Sequence, residues 1–340
     1  MNVGNKFLFN FAASYSSGGY KRLREYAKWF NGNGGAWFII HPRCRSLSNE
    51  FSDNKFFVVR QSRIRRLYDD CGYLESIRAE IGCQPELYFS YGIPLYFRFG
   101  RINWFHLSNV LPIEAAGIPL SLADRITFRY LGWRIRRGFR IADVISAESN
   151  NSLRLIGGGE PGKLFLSVNG SDDELDCLQN YRVESKENIA AVLGTHRYKA
   201  LKDSFRVFEM LKRENEPLKL IILGRESWVP NFLKGIRDVE IRGLVERSEV
   251  IDCLRKSKIY ISTTRVENSY NAASEGIVFA DESYISDIGP HRELLTNVPF
   301  DRIAVPGVDA PLLHVERKNL SGLNLKSWNT VVLEMLARIS

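Results

Sequence analysis

Short apolar runs punctuate the first half of the chain: FLFNFAA, AWFIIHP, KFFVVRQ, ELYFSYG and INWFHLS. Between them lie stretches with helical spacing, YKRLREYAKWF and RRLYDDCGYLESIRAEIG, and the runs DVISAES and KLFLSVNG continue the rhythm. Strands alternating with helices imply crossover connections, and therefore a parallel sheet. A polar stretch from Ser171, SDDELDCLQNYRVESKEN, interrupts the pattern and reads as an interdomain connection. The alternation then restarts with IAAVLGT, DSFRVFEMLKREN, LKLIILG, VEIRG, SEVIDCLRKS and KIYISTT. In the last segment, Trp328, Val331, Val332, Met335 and Leu336 fall on one helical face. The pattern predicts two α/β domains, residues 1–170 and 171–340, with a cleft between them.

A length of 340 residues exceeds the usual extent of one hydrophobic core and agrees with two domains. No apolar run reaches the roughly 18 to 20 residues needed to span a bilayer. The segment after Lys6 is interrupted by Asn10 and reads as a buried strand rather than a signal peptide. Cys44, Cys71, Cys83, Cys177 and Cys253 are scattered without a C-x-x-C pair, which predicts reduced thiols in a cytoplasm. The net charge of +8 is unevenly placed. Residues 1–165 hold 23 Lys and Arg against 13 Asp and Glu, a net +10, so the remainder is slightly acidic at −2. A basic first half is suited to an anionic surface, whether phosphate, nucleic acid or acidic lipid.

The segment VENSYNAASEGIVFADESYISDIGPHREL is the most informative one. By itself, a glutamate after a strand and another in the next helix is commonplace. Here KIYISTT ends just before Glu267, and the polar turn Asn268, Ser269, Tyr270, Asn271 leads into a helix carrying Glu275. A helix start of this kind offers free N–H groups and a positive dipole end to phosphate. The segment resembles the E-x7-E signature of retaining glycosyltransferase family 4, whose members have the GT-B fold. Glu275 to Asp287 fits the family's spacing to its A-S-D-I-G motif without a gap, whereas Phe279, Ala280, Asp281 and Glu282 depart from the usual C-G-T-P turn. The resemblance implies that Glu267 orients the donor sugar and that Glu275 holds the ribose.

LGTHRYKALKDSF resembles the family's basic pair, with Arg197 and Lys202 placed to stabilise a leaving diphosphate. Lys199 lies between them and also allows a plain solvated basic loop. Other matches run from about residue 4 to 338. Gly18 and Gly19 in SSGGYKRL resemble the glycine-rich first loop, where backbone approaches donor phosphates. Gly224 in LIILG and Gly243, Leu244 and Val245 in IRGLV correspond to segments flanking the nucleobase, and Asn169 lies in the stretch that closes the first domain. His106 ends a strand, where ligands bind in open α/β sheets, and resembles the family histidine near the transferred sugar; His41 is the rival position. The five histidines lack H-x-x-H spacing, and the Asp pairs at 69–70 and 172–173 lack D-x-D spacing, so no metal site is expected. GGGEPG at 157–162 lacks dinucleotide-fingerprint spacing and reads as a loop.

RITFRYLGWRIRRGFR carries Arg125, Arg129, Arg134, Arg136, Arg137 and Arg140 with Phe128, Tyr130, Trp133 and Phe139 interleaved, and RQSRIRR adds Arg60, Arg63, Arg65 and Arg66. Three readings stand: a helix in the interface of an anionic bilayer, a single-strand nucleic-acid surface, or a partly buried helix with snorkelling arginines. The resemblance favours the membrane.

Taken together, the resemblance implies a GT-B enzyme of two Rossmann-like domains, with the C-terminal helix 326–340 returning to the first. It implies a metal-independent retaining hexosyltransferase with no cofactor, using a UDP- or GDP-linked sugar. The expected acceptor is a glycan or lipid-linked glycan in O-antigen, capsule or lipopolysaccharide assembly. The expected location is the cytoplasmic face of the inner membrane, with no nucleic-acid partner. A GT-B nucleotide-sugar epimerase and a catalytically silent glycan- or nucleotide-binding subunit are the alternatives.

Overall fold

The computed structural model describes residues 6–60, 72–114, 118, 120–157, 160–180, 185–214 and 217–340. Arg63, Arg65, Arg66, the Asp69–Asp70 pair, Cys71, Gly158 and Gly159 lie outside them. The chain divides into two compact units, one of residues 1–115, 120–170 and 327–340, the other of 116–119 and 171–326.

The first unit comprises β1 (Phe7–Phe11), α1 (Ser17–Asn31), β2 (Trp37–Ile40), α2 (Leu47–Glu50), β3 (Lys55–Val58), α3 (Gly72–Ile81), β4 (Leu87–Tyr91), β5 (Ile102–Leu107), α4 (Leu122–Gly138), β6 (Val144–Ala147), α5 (Asn150–Ile156) and β7 (Leu164–Leu166). Its strands form one parallel sheet in the order β3-β2-β1-β4-β5-β6-β7. All five residues of β1 are buried, and the core is largely aromatic. Phe9 stacks on Phe38 at 5.2 Å and meets Phe30, Tyr26 and Phe89 within 6 Å. Each such ring contributes about 1.5–3 kcal/mol by leaving water. Leu23, Tyr26, Ala27 and Phe30 recur at helical spacing and seat α1 on this sheet.

The C-terminal helix, here α11 (Trp328–Ile339), belongs to this first unit. Trp328 lies edge-on to Tyr26 at 6.1 Å and under the Arg22 guanidinium at 5.5 Å. Its indole would collide with any side chain at Gly170, whose added Cβ would stand 2.4 Å from the ring.

The second unit comprises α6 (Asp172–Gln179), β8 (Glu187–Leu193), α7 (Leu201–Glu214), β9 (Lys219–Leu223), β10 (Val239–Gly243), α8 (Arg247–Lys256), β11 (Ser257–Ser262), α9 (Asn271–Phe279), β12 (Glu282–Ser286), α10 (Gly289–Leu294), β13 (Asp301–Ile303) and β14 (Leu312–Glu316). The sheet order is β10-β9-β8-β11-β12-β14-β13, parallel through β12, with β14 and β13 added antiparallel. Its core is aliphatic, built on Ala190, Val192, Ile222, Ile259 and Ile261 with Val207 and Leu211 of α7.

One reading of the pattern is corrected here. The stretch from Ser171 is not only a connection: residues 172–179 form α6, whose first turn carries Asp172, Asp173 and Glu174, the placement that a helix dipole rewards. Its Glu174 is buried, 3.4 Å from the Ser274 hydroxyl of α9. The departure at Phe279–Glu282 is a short step from α9 into β12, with Ala280 and Asp281 between them.

Candidate functional site

In the second unit the strand order reverses between β8 and β11. Loops leave the carboxyl ends of these neighbours in opposite directions, and the crevice this opens is where open α/β sheets hold ligands. Beyond β8 the chain passes Gly194, makes a 3-10 turn over Arg197–Lys199, and enters α7 through Ala200 at φ +48°. A non-glycine residue in that left-handed region costs about 1 kcal/mol and needs holding. The holding comes from the end of β11. The Thr263 hydroxyl lies 3.0 Å from the Ala200 carbonyl oxygen and 2.7 Å from the Ser204 hydroxyl, and the Arg265 amide donates to the Tyr198 carbonyl at 2.8 Å.

This bend turns Lys199 inward. It is 9% exposed, and its ammonium donates to the carboxylate of Glu267, which follows β11. The positive charge of Lys199 and burial together lower the pKa of neighbouring His196, burial being the larger cause. Burial first, and the Glu267 charge second, raise that of Tyr198. Rings gather at the same edge: His196 stacks on Tyr198 at 5.1 Å and meets Trp228 at 4.5 Å, with the Arg225 guanidinium 4.5 Å over the Trp228 ring.

After Glu267, Asn268 and Tyr270 are buried, and the Ser269 hydroxyl sits 2.8 Å from Asn271 Oδ1 at the start of α9. No side chain of Tyr270 caps that helix start. Glu275 lies one and a half turns in, mostly buried, and accepts from Arg247 at the head of α8, which also reaches Asp173 at 3.1 Å. Beyond β12, Asp287 accepts from Arg292 at 2.8 Å and pairs with Arg302 at 2.9 Å. His291 is buried with Nδ1 2.7 Å from the Ser286 carbonyl oxygen. Burial lowers its pKa to about 4, so the imidazole is neutral, with the proton on Nδ1.

The carboxyl ends of β8, β9 and β10 are tied in series, Gly194 donating to Leu223 and Gly224 to Gly243 through their amides. Gly224 adopts φ +153°, and a Cβ there would meet the Thr195 methyl at 2.8 Å. Gly243 is at φ +73°, Leu244 is exposed and Val245 half-buried. Arg197 is exposed on the 3-10 turn, and Lys202 is exposed on the first turn of α7. The cation brought against Glu267 is therefore Lys199, which the sequence pattern offered only as a sign of a solvated loop. Arg247 is the other site cation that sequence reasoning passed over. Lys199 ends the 3-10 turn and Arg247 opens α8, both in segments of mixed polarity, and only the fold shows which arginine or lysine turns inward.

Gly18, Gly19 and His106 belong to the first unit. The two glycines are not a loop but the first turn of α1. A Cβ on Gly19 would stand 3.0 Å from Ser14 and from the Tyr91 ring, so its bareness serves close packing after β1. His106 is fully buried near the end of β5, with Nδ1 2.8 Å from the Ser146 hydroxyl, Nε2 3.4 Å from Glu148, and its ring stacked on Tyr91 at 4.9 Å. Burial, then the Arg22 charge, lowers its pKa to about 4. Burial alone would raise Glu148, yet the His106 hydrogen bond and the Arg22 charge hold it below its usual value. Arg22 is itself fully buried and donates to Asn169, Ser167, Tyr26 and the Val168 carbonyl. His41 is half-buried, against Tyr15 at 4.4 Å. Among the described residues no cluster of three His, Cys, Asp or Glu is placed to hold a metal ion.

No profile of a known protein family matches the chain, and no curated protein sequence does. Solved structures do. HepE of Anabaena, solved with UDP and glucose, is 13% identical over 98% of this chain and 91% of its own, with a TM-score of 0.60. A glycosyltransferase from Rickettsia africae is 14% identical over 87% and 83%, with a TM-score of 0.56. An α,α-trehalose 6-phosphate synthase from Burkholderia multivorans is 10% identical over 86% and 84%, with a TM-score of 0.54. The two open-sheet units, the reversal of strand order and these structural matches together give the chain the GT-B fold.

Proposed function

We propose that this chain is a retaining glycosyltransferase of the family 4 type, moving a hexosyl group from a UDP- or GDP-linked donor to a glycan or lipid-linked glycan. The observation that carries the reading is the partly buried Lys199–Glu267 pair at the switch point of the second sheet. A carboxylate and an ammonium held together there match the two ends of a sugar diphosphate. An entering diphosphate competes with Glu267 for the Lys199 charge and leaves the carboxylate to accept hydrogen bonds from sugar hydroxyls. As the bond from the anomeric carbon to the diphosphate oxygen breaks, charge builds on that oxygen, and Lys199 and Arg197, with Lys202 beyond them, stabilise it. The acceptor hydroxyl attacks the face the diphosphate leaves, and its proton passes to the departing phosphate oxygen. Glu275, steadied by Arg247, takes the ribose; Gly224, Gly243, Leu244 and Val245 flank the base; Asn268, Ser269, Tyr270 and Asn271 offer the start of α9 to phosphate.

In the first unit, Gly18 and Gly19 are assigned to the donor phosphates and the His106–Glu148 pair to the side of the transferred sugar. The structural likeness to HepE, solved with UDP-glucose, supports a nucleotide-sugar donor. The work belongs to assembly of a bacterial surface polysaccharide, O-antigen, capsule or lipopolysaccharide, at the cytoplasmic face of the inner membrane, and needs no metal or cofactor. Donor consumption by Glu267→Gln and by Lys199→Ala tests the site. Each lowers turnover about a hundredfold or more while circular dichroism stays that of the wild type. A folded Glu267→Gln protein with wild-type turnover excludes the reading.

A further inference from the structure

The outward face of α4 is unlike an ordinary solvated helix face. Leu122, Ile126, Tyr130 and Trp133 follow one another at spacings that keep them on one side, and they are 75%, 62%, 39% and 50% exposed. Single exposed apolar residues are unremarkable, but four in line form a continuous apolar stripe about 16 Å long. Tyr130 and Trp133 lie 5.6 Å apart, and the Arg137 guanidinium stands 5.8 Å over the Trp133 ring. Arg125, Arg129, Arg136 and Arg137 are exposed alongside the stripe. The helix's one acidic residue, Asp124, is half-buried and tied to the N-cap Ser121 at 2.7 Å.

The opposite face is fastened to the first unit. Gly132 lies so close to Pro112 that a Cβ would fall 2.1 Å from its carbonyl oxygen, Gly138 packs on Leu95, and Ile135 is buried. Arg134 turns inward over the Tyr96 ring at 4.4 Å, so it packs against the protein rather than joining the outer row. These contacts seat the half of the helix that carries Trp133 on the first unit and leave the stripe facing outward.

We propose that this face of α4 is an interfacial anchor that lies in an anionic bilayer, with Leu122, Ile126 and Trp133 inserted below the phosphates and the arginines paired to them. The chemistry separates this occupant from others. Aliphatic Leu122 and Ile126 give nucleic acid nothing to stack on. A protein interface core is depleted of charge, whereas arginines flank this stripe along its length. A bilayer interface accommodates every part: aliphatic groups in the acyl region, Trp and Tyr at headgroup depth, and Arg at phosphate. No helix among the described residues is long and apolar enough to cross a membrane, so α4 lies on the surface. The anchor gives a surface to the membrane location proposed above, and it rests on α4 alone.

The full chain is sedimented with vesicles of phosphatidylcholine, and with vesicles of phosphatidylcholine and phosphatidylglycerol in equal parts. Wild type binds the mixed vesicles and not the neutral ones. The exposed-site pair Ile126→Ser with Trp133→Ser weakens binding about tenfold or more even at low salt, as lost interfacial burial requires. Arg129→Gln with Arg137→Gln weakens it about tenfold or more and flattens its salt dependence. Tryptophan emission shifts blue on binding, and Trp133→Phe removes that shift. Sedimentation by Ile126→Ser/Trp133→Ser equal to wild type overturns the proposal, as does a wild type that binds neither vesicle. A dimer that this variant dissociates in the absence of lipid, or retention of the wild type on single-stranded RNA but not on vesicles, equally overturns it. Because vesicle binding needs no donor, it separates failure of the anchor from failure of the glycosyltransferase reading.

Discussion

Whether a charged residue counts as site or surface depends on which way its backbone turns it. Lys199 and Lys202 are three positions apart, yet one is buried against Glu267 and the other exposed on α7. The difference lies in Ala200, whose left-handed conformation bends the chain between them. Lys202→Ala should therefore lower turnover less than Lys199→Ala, which parallel donor-turnover assays measure directly. The two buried histidines give a second residue-scale expectation. His106 and His291 both have pKa values near 4 in the folded state, set chiefly by burial. The unfolded value is about 6.5, so above it neither state is charged and the two groups contribute nothing to pH dependence. As pH falls from about 6.5 to about 4, the unfolded chain takes up protons that the folded chain refuses, and stability drops by an amount on the order of a few kcal/mol. Urea unfolding near neutrality and near pH 5 should show this loss, and His291→Asn, which keeps a donor for the Ser286 carbonyl, should show roughly half of it.

Among the elements, α9 carries a charged residue inside an otherwise uncharged, largely buried helix. Its string NAASEGIVF is buried from Ala273 to Phe279, Glu275 included. Burying a carboxylate is costly unless it is paired, and Arg247 supplies the pair. Close packing against β11 is made possible by Gly276, where an added Cβ would fall 2.0 Å from the fully buried Tyr260 ring. Gly276→Ala should cost on the order of 3 kcal/mol in a urea melt, despite alanine's better helix propensity. A stability equal to or above wild type would mean the helix shifts freely, contrary to such packing. The strands were easy to read because each is a short run of apolar, often aromatic or β-branched residues. α6 was hidden for the converse reason: DDELDCLQ is polar on most sides, and its helicity rests on packing against α9 that no local pattern announces.

At the scale of the molecule, two units of different chemistry share one chain. The first has an aromatic core and carries the basic excess; the second has an aliphatic core, is close to neutral and holds the Lys199–Glu267 switch-point pair. If the second unit takes a nucleoside diphosphate, melting temperature should rise with ligand by mass action, about 2.7 kcal/mol of added stability at a hundred times the dissociation constant. A thermal-shift series against UDP, GDP and their sugars identifies the base. Transfer activity should survive a chelator unchanged, and loss that manganese restores would argue for a metal-dependent reaction.

The alternation of the main strands and helices, their α/β class and the last helix were determined by the sequence alone, since apolar period and length are local properties of the chain; α6 and the antiparallel pair β13 and β14 were not. Glu267 and Glu275 were singled out by the resemblance to the E-x7-E signature rather than by apolar period, since two glutamates at this spacing are commonplace in themselves. Which cation meets each carboxylate was decided by tertiary structure. Lys199 and Arg247 lie 68 and 28 positions from their partners, and charge pairs at that separation leave no periodic trace. The outward face of α4 was decided the same way. Its arginines and aromatic rings are plain in the sequence, but only the seating of Gly132, Ile135 and Gly138 determines that Leu122, Ile126 and Trp133 face out.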